Sequence, residues 1–195
     1  MGQRLNLEIW NNGKVLANAY YHWSAYTSSA AKIVNEALAS TEIFNGNGNE
    51  VLYAIRLLEA TGAGLPTYER EYIQKNNLFE GCGFAECNGR NEGLIAISEE
   101  GIKETRDWEE GAARIYLDEK RISFNVFWKQ HWYEWEKDQC DYGEEIVDHN
   151  TLQIVDFNFD DIKFDDWGIV YAFLKEAEEP FRVKTDVRYV LTPIC

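Results

Sequence analysis

The sequence predicts an α+β fold in which a mainly antiparallel sheet, built from two hairpins, is covered by about three helices. Two segments alternate apolar and polar residues on either side of a turn, as β-hairpins do. Segments with apolar residues at helical spacing lie between the hairpins and after them. The chain has 195 residues, 45% of them apolar, and no evident linker or repeat. We therefore expect a single domain over residues 1–195 with one substantial core.

The first hairpin is predicted at the N-terminus. Apolar residues alternate with polar ones from Leu5 to Ile9, and Asn11–Lys14 supplies turn chemistry. Alternation resumes at Val15 and, continued without a break, places Trp23 on the core side of the second strand.

Helical patterns follow the first hairpin. The hydroxyl-rich stretch Ser24–Ser29 can cap a helix of about 12 residues, whose apolar positions run from Ala30 to Leu38. A second helix is predicted over Val51–Leu58, with Gly62 at its C-terminal end. The loop-rich stretch beyond it carries one short helix near Tyr68–Lys75.

The second hairpin follows a short buried strand. Gly93–Ile97 has the continuous apolar pattern of such a strand, and an acidic helical turn leads from it to Trp108. Alternation in Ala113–Leu117 and again in Ile122–Trp128 predicts the two hairpin strands.

The C-terminal part begins with the aromatic segment Trp132–Trp135. A further strand is predicted through Val155–Phe159, and Trp167–Leu174 has helical spacing with Pro180 as a terminator. A last strand is expected over Val183–Leu191.

Composition excludes several classes of protein. The chain has 34 acidic and 19 basic residues, a formal charge of -15, which argues against direct binding of nucleic acid. No run approaches the ~20 apolar residues of a membrane span. The N-terminus lacks a signal-peptide pattern, so we expect a cytoplasmic protein. Four scattered cysteines indicate thiols rather than a disulfide framework.

The negative charge is concentrated. Residues 99–179 contain 23 acidic and 9 basic residues, interleaved with aromatic residues, which indicates a folded segment rather than an acidic tail. Three of the acids end the predicted last helix, where carboxylates oppose the helix dipole. One interpretation is a solvated acidic face that only confers solubility.

The other interpretation is a surface that binds a basic partner, with carboxylates in place of phosphates. We assign it to residues 134–179, with Trp132, Trp135 and Trp167 as aromatic anchors. The candidate partner-binding residues are Glu144, Glu145, Asp160, Asp161, Asp165, Asp166, Glu176, Glu178 and Glu179.

An alternative binding site lies where the first hairpin meets the first helix. A helix N-terminus attracts phosphate or carboxylate, and nearby hydroxyls can complete a cradle. The candidate ligand-binding residues are His22, Tyr26, Thr27, Ser28 and Ser29. Simple helix capping is the default use of the same hydroxyls at such a junction.

Patterns for metals, cofactors and catalysis are weak. Asp156–Asp160 has oxygen ligands at alternate positions, but Asp161 replaces the glycine that a calcium loop requires. Cys82 and Cys87 lack the second pair of a zinc site. No nucleophile motif, Walker loop or dinucleotide fingerprint occurs, so we predict no metal, no cofactor and binding rather than catalysis, with the catalytic residues unknown.

The opening Met1–Leu5, with the junction Tyr20–Tyr26, resembles a family of small phage and prophage proteins. That family begins Met-Gly-Thr-Arg and carries an aromatic-His-Trp-Asp-Gly-Tyr-Pro junction; Ser24, Ala25 and Thr27 depart from it. The resemblance covers about 30 residues and implies a phage accessory protein acting in the host cell. By analogy we expect it to counter a bacterial defence system, with a basic host protein such as a defence nuclease as partner. One alternative is a protein that binds or hydrolyses a nucleotide signal, and another is an oligomeric structural or regulatory protein with no ligand.

Overall fold

The computed structural model describes residues 4–25, 27–40, 48–82, 93–136 and 139–159, with the backbone alone at 27–28, 127–136 and 139–155. Seven strands form one sheet in the order β3-β4-β2-β1-β5-β6-β7. The strands are β1 (Leu5–Asn11), β2 (Lys14–Tyr21), β3 (Ala63–Gly64), β4 (Gly93–Ala96), β5 (Gly111–Tyr116), β6 (Arg121–Glu136) and β7 (Gln139–Asn158). The helices are α1 (Thr27–Ala39), α2 (Glu50–Glu59), α3 (Thr67–Asn76) and α4 (Glu99–Asp107).

The predicted N-terminal hairpin is confirmed. Strands β1 and β2 pair antiparallel, and the turn residues Asn12 and Gly13 both have positive φ, as a two-residue hairpin turn requires. The prediction for Trp23 is wrong, because β2 ends at Tyr21 and the Trp23 side chain is 60% exposed. Alternation fixes the side of a residue only while the chain remains a strand.

One face of the sheet, here called the first face, carries the apolar core. Leu5, Leu7 and Ile9 point to it from β1, and the apolar sides of α1 and α2 cover it. Phe124 and Phe157 extend the core to β6 and β7, with their rings edge to face at 6.1 Å. The helices predicted with apolar positions from Ala30 to Leu38 and over Val51–Leu58 are confirmed as α1 and α2, whose apolar stripes meet this face.

The opposite, second face of the sheet carries polar residues and is covered in part by α4. Asn6 and Asn18 are fully buried there, and both hydrogen-bond to Thr105 of α4. Their amide nitrogens donate to the Thr105 carbonyl at 3.0 Å and to its hydroxyl oxygen at 2.7 Å. Hydrogen bonds rather than apolar packing therefore hold α4 on the sheet.

Two details of the predicted fold class need correction. The sheet is mixed, not mainly antiparallel, since β1 pairs parallel with β5 and β3 pairs parallel with β4. Four helices occur in the described residues instead of about three, because α3 and α4 are full helices. The α+β class itself is confirmed.

Of the remaining predicted strands and helices, some are confirmed and others lie outside the described residues. The second hairpin and the strand through Phe157 are confirmed, and the aromatic segment from Trp132 lies within β6. The predicted helix at Trp167–Leu174 and strand at Val183–Leu191 lie outside the described residues. In the part that the structure describes, no helix has the length and apolar character needed to cross a membrane.

Candidate functional site

Of the nine predicted partner-binding residues, the structure describes two, and of these the backbone alone. Glu144 and Glu145 lie on β7, where the backbone of Glu145 pairs with His131 of β6. The other seven predicted residues lie outside the described part of the chain: Asp160, Asp161, Asp165, Asp166, Glu176, Glu178 and Glu179. The surface proposed for residues 134–179 therefore stays a prediction.

The alternative site is described in part. His22 is exposed just beyond β2, and its Nδ1 lies 3.0 Å from the Tyr20 hydroxyl. Tyr20 faces the second side of the sheet, whereas α1 packs on the first. Ser29 is half-buried in the first turns of α1, Tyr26 lies outside the described residues, and only the backbone is described for Thr27 and Ser28. The described contacts of His22 are thus with other rings and not with the helix N-terminus.

Those rings form a row of aromatic side chains on the surface. Trp108, at the end of α4, contacts Tyr20 edge to face at 5.4 Å. His22 lies 6.3 Å from Tyr20 and 5.1 Å from Trp23. Exposed aromatic groups are common in protein interfaces.

A groove lies between α3 and α4 and is called the α3–α4 groove below. It has a volume of about 540 Å³, within the range of ligand pockets. Its lining residues are Tyr68, Tyr72, Ser98, Glu99, Glu100, Gly101 and Glu104. Tyr68 and Tyr72, one helical turn apart on α3, are 50% and 36% exposed and are called the groove tyrosines below.

The wall on the α4 side is acidic. Glu99, Glu100 and Glu104, called the groove carboxylates below, are all exposed. Among the described residues, no lysine, arginine or histidine lines the groove. Burial, together with the charges of Glu69 and Glu104, raises the pKa of the Tyr68 phenol, so this ring stays neutral at physiological pH.

A buried carboxylate holds the two helices together beneath the groove. Glu69 of α3 is fully buried and accepts hydrogen bonds from the Ser98 backbone at 3.0 Å and from the Ser98 hydroxyl at 2.7 Å. The Ser98 hydroxyl oxygen in turn accepts from the Gly101 backbone and caps α4. A Cβ at Gly101 would overlap the Glu69 carboxylate, so a larger residue there would require this buried, hydrogen-bonded side chain to move.

This arrangement determines the sign of charge that the groove favours. A helix N-terminus normally attracts an anion, but here the Glu69 carboxylate, bound to the Ser98 cap, already supplies that negative charge. An incoming anion would also meet the groove carboxylates. A cation, in contrast, meets three carboxylates and two tyrosine side chains, and aromatic rings attract cations.

A second buried carboxylate lies on the second face of the sheet. Glu8 is fully buried and accepts hydrogen bonds from the guanidinium groups of Arg106 and Arg114 and from the Trp10 indole. The hydrogen bond to Glu8 raises the pKa of Arg106. Glu8 is thus fully paired within the protein, which indicates a structural ion cluster rather than a general base.

The sequence contains two weak metal-binding patterns, the calcium-like run Asp156–Asp160 and the pair Cys82 and Cys87. Asp156 and Phe157 lie on β7, and the buried Phe157 ring packs on Phe124, so alternation in a strand explains the spacing. Cys82 is half-buried just after α3, and Cys87 lies outside the described residues. Within the described residues, no three His, Cys, Asp or Glu side chains are placed to hold a metal ion.

Sequence reasoning missed the α3–α4 groove. The spacing of Tyr68 and Tyr72 on a predicted helix was the available signal, since residues four apart share a helix face. The contact between Glu69 and Ser98 spans 29 residues and has no local pattern.

Comparison with known proteins identifies no relative: no protein-family model, no curated protein and no solved structure matches the chain.

Proposed function

We propose that the protein is a phage-encoded accessory protein that counters a bacterial defence system by binding. In this proposal an acidic surface docks on the basic, nucleic-acid-binding surface of a host protein, and no reaction is catalysed. The observation that carries the proposal is the α3–α4 groove, where exposed carboxylates and tyrosines line one concavity without a basic residue among the described ones.

Charge placement elsewhere supports the proposal. Arg56, Arg106, Arg114 and Arg121 each form an ion pair with a carboxylate of the protein itself. These arginines are therefore partly neutralised, while the groove carboxylates face solvent. An acidic surface of this kind speeds encounter with a basic partner and repels nucleic acid.

The chemistry of docking would be substitution of carboxylates for phosphates. A nuclease binds phosphates with lysine and arginine side chains, and the same side chains bind carboxylates by charge-assisted hydrogen bonds. The predicted acidic residues 134–179 would widen this surface, and the phage origin rests on the resemblance of the first 30 residues.

The test is displacement of labelled duplex DNA or RNA from purified bacterial defence nucleases. We expect the protein to displace the nucleic acid from at least one nuclease and to lose affinity as salt rises from about 0.05 to about 0.3 M, because exposed charge pairs are screened. Failure to displace from every nuclease tested, or displacement that is insensitive to salt, would contradict the proposal.

The nucleotide-signal alternative has less support. The described contacts of His22 are with Tyr20 and Trp23, and the groove has the wrong charge for phosphate. Thermal shift and chromatography with a panel of cyclic and linear nucleotides test it directly. Stabilisation or consumption of one nucleotide would favour this alternative over docking.

A further inference from the structure

We infer that the α3–α4 groove is the docking site for a lysine or arginine side chain of a basic protein segment, an inference that rests on the proposed function. The groove tyrosines line the groove from α3, and the groove carboxylates line it from α4. An ammonium or guanidinium group is the chemistry that gains from both, by cation–π attraction and by ion pairing.

The size and rigidity of the groove fit such an occupant. A volume of about 540 Å³ admits a long side chain together with part of the backbone that carries it. The walls are fixed before binding, because buried Glu69 ties α3 to the Ser98 cap of α4. A preformed site loses less conformational entropy when it binds.

Anionic and purely apolar occupants fit less well. The carboxylate of Glu69 occupies the position where an anion would meet the N-terminus of α4. An apolar side chain would leave the groove carboxylates beside a desolvated surface without a counter-charge. The groove thus favours a cation, because the groove carboxylates attract it and because anionic and apolar side chains bind there less well.

The test uses a fluorescently labelled octalysine peptide as the probe, with octaglutamate as the negative peptide, and measures binding to the full chain by anisotropy. The groove triple variant carries Glu99→Gln, Glu100→Gln and Glu104→Gln. We expect it to lose about tenfold in affinity for octalysine, since it removes three exposed ion pairs that each contribute modestly.

A matched variant controls for net charge. The control triple variant carries Glu50→Gln, Glu80→Gln and Asp118→Asn, which remove the same three charges from exposed positions outside the groove. We expect it to bind octalysine within about twofold of the unaltered protein, because distant exposed charges are screened. Equal losses in the two triple variants would overturn the inference, since binding would then follow net charge alone.

The rings are tested separately. Replacing both groove tyrosines by leucine keeps the groove apolar but removes the ring quadrupole, and we expect a loss of about two- to fivefold per ring. Replacement by phenylalanine keeps the ring faces and should restore binding. Leucine variants that bind as well as the unaltered protein would overturn the role of the tyrosines. Circular dichroism checks that each variant is folded.

Failure of this inference and failure of the proposed function give different results. If the groove triple variant still displaces nucleic acid from a nuclease as well as the unaltered protein, the groove is not the docking site but the function stands. If the groove binds octalysine specifically while no nuclease is displaced, the site stands and the proposed function is wrong.

Discussion

At the scale of single residues, the buried Glu8 cluster has the largest effect on stability that we expect from one side chain. Its carboxylate is fully buried, while Arg106 and Arg114 remain 38% and 26% exposed. Glu8 therefore neutralises two guanidinium groups that are only partly hydrated. Trp10 completes its hydrogen bonds by donating from the indole at 2.7 Å.

We predict that Glu8→Gln lowers the free energy of unfolding by about 2–3 kcal/mol. The neutral amide keeps the shape but removes the charge that both arginines face, and water hydrates those arginines in part. Urea unfolding measures the loss. The control is Glu119→Gln, because Glu119 is 52% exposed in its pair with Arg121, and a loss below about 0.5 kcal/mol is expected there. Equal losses at the two positions would contradict a special role for Glu8.

At the scale of elements, α2 and α4 can be compared because each begins with a side-chain hydrogen bond at its N-cap. Asn49 caps α2 by accepting from the Leu52 backbone at 3.0 Å, and Ser98 caps α4 by accepting from Gly101 at 3.1 Å. Only the Ser98 cap also donates to the buried Glu69, and only α4 forms a wall of the α3–α4 groove. Removing each cap in turn therefore distinguishes an effect of helix stability from an effect of groove geometry.

We predict that Ser98→Ala and Asn49→Ala each lower the free energy of unfolding by about 1–2 kcal/mol, because each removes a helix cap and a second hydrogen bond. Only Ser98→Ala should also weaken octalysine binding and speed hydrogen exchange in the first turn of α4. If both variants weakened binding equally, the groove would depend on global stability and not on the Ser98–Glu69 link.

The same elements show what the sequence could predict. The turn at Asn12 and Gly13 and the apolar stripe of α2 are local signals, and both predictions are confirmed. Helix α4 was expected only as a helical turn, because its buried residues are Gly101 and Thr105 and it docks through hydrogen bonds. Rules based on apolar spacing do not detect a helix that packs in this way.

At the scale of the whole molecule, the arrangement of the hairpins was out of reach of local patterns. The parallel pairing of β1 with β5 joins the two hairpins across more than 100 residues, for example Leu7 with Ala113. Strand alternation is the same for parallel and antiparallel neighbours, so it cannot determine this orientation. The groove depends on the same kind of distant contact, that of Glu69 with Ser98.

Net charge is the other property of the whole molecule, and it predicts opposite effects of salt on folding and on binding. At a formal charge of -15, repulsion among the excess carboxylates destabilises the folded chain at low ionic strength. We predict that NaCl raised from about 0.02 to about 0.2 M increases the melting temperature and lowers the affinity for octalysine, because the same ions screen repulsion within the protein and attraction to the peptide.

The groove triple variant sharpens this prediction. It carries three fewer negative charges, close together in the fold, so its melting temperature should rise less with salt than that of the unaltered protein. Scanning calorimetry across the salt series measures the melting temperatures of the variant and of the unaltered protein. A melting temperature that falls with salt would show that ion pairs such as Glu8 with Arg114 outweigh the repulsion.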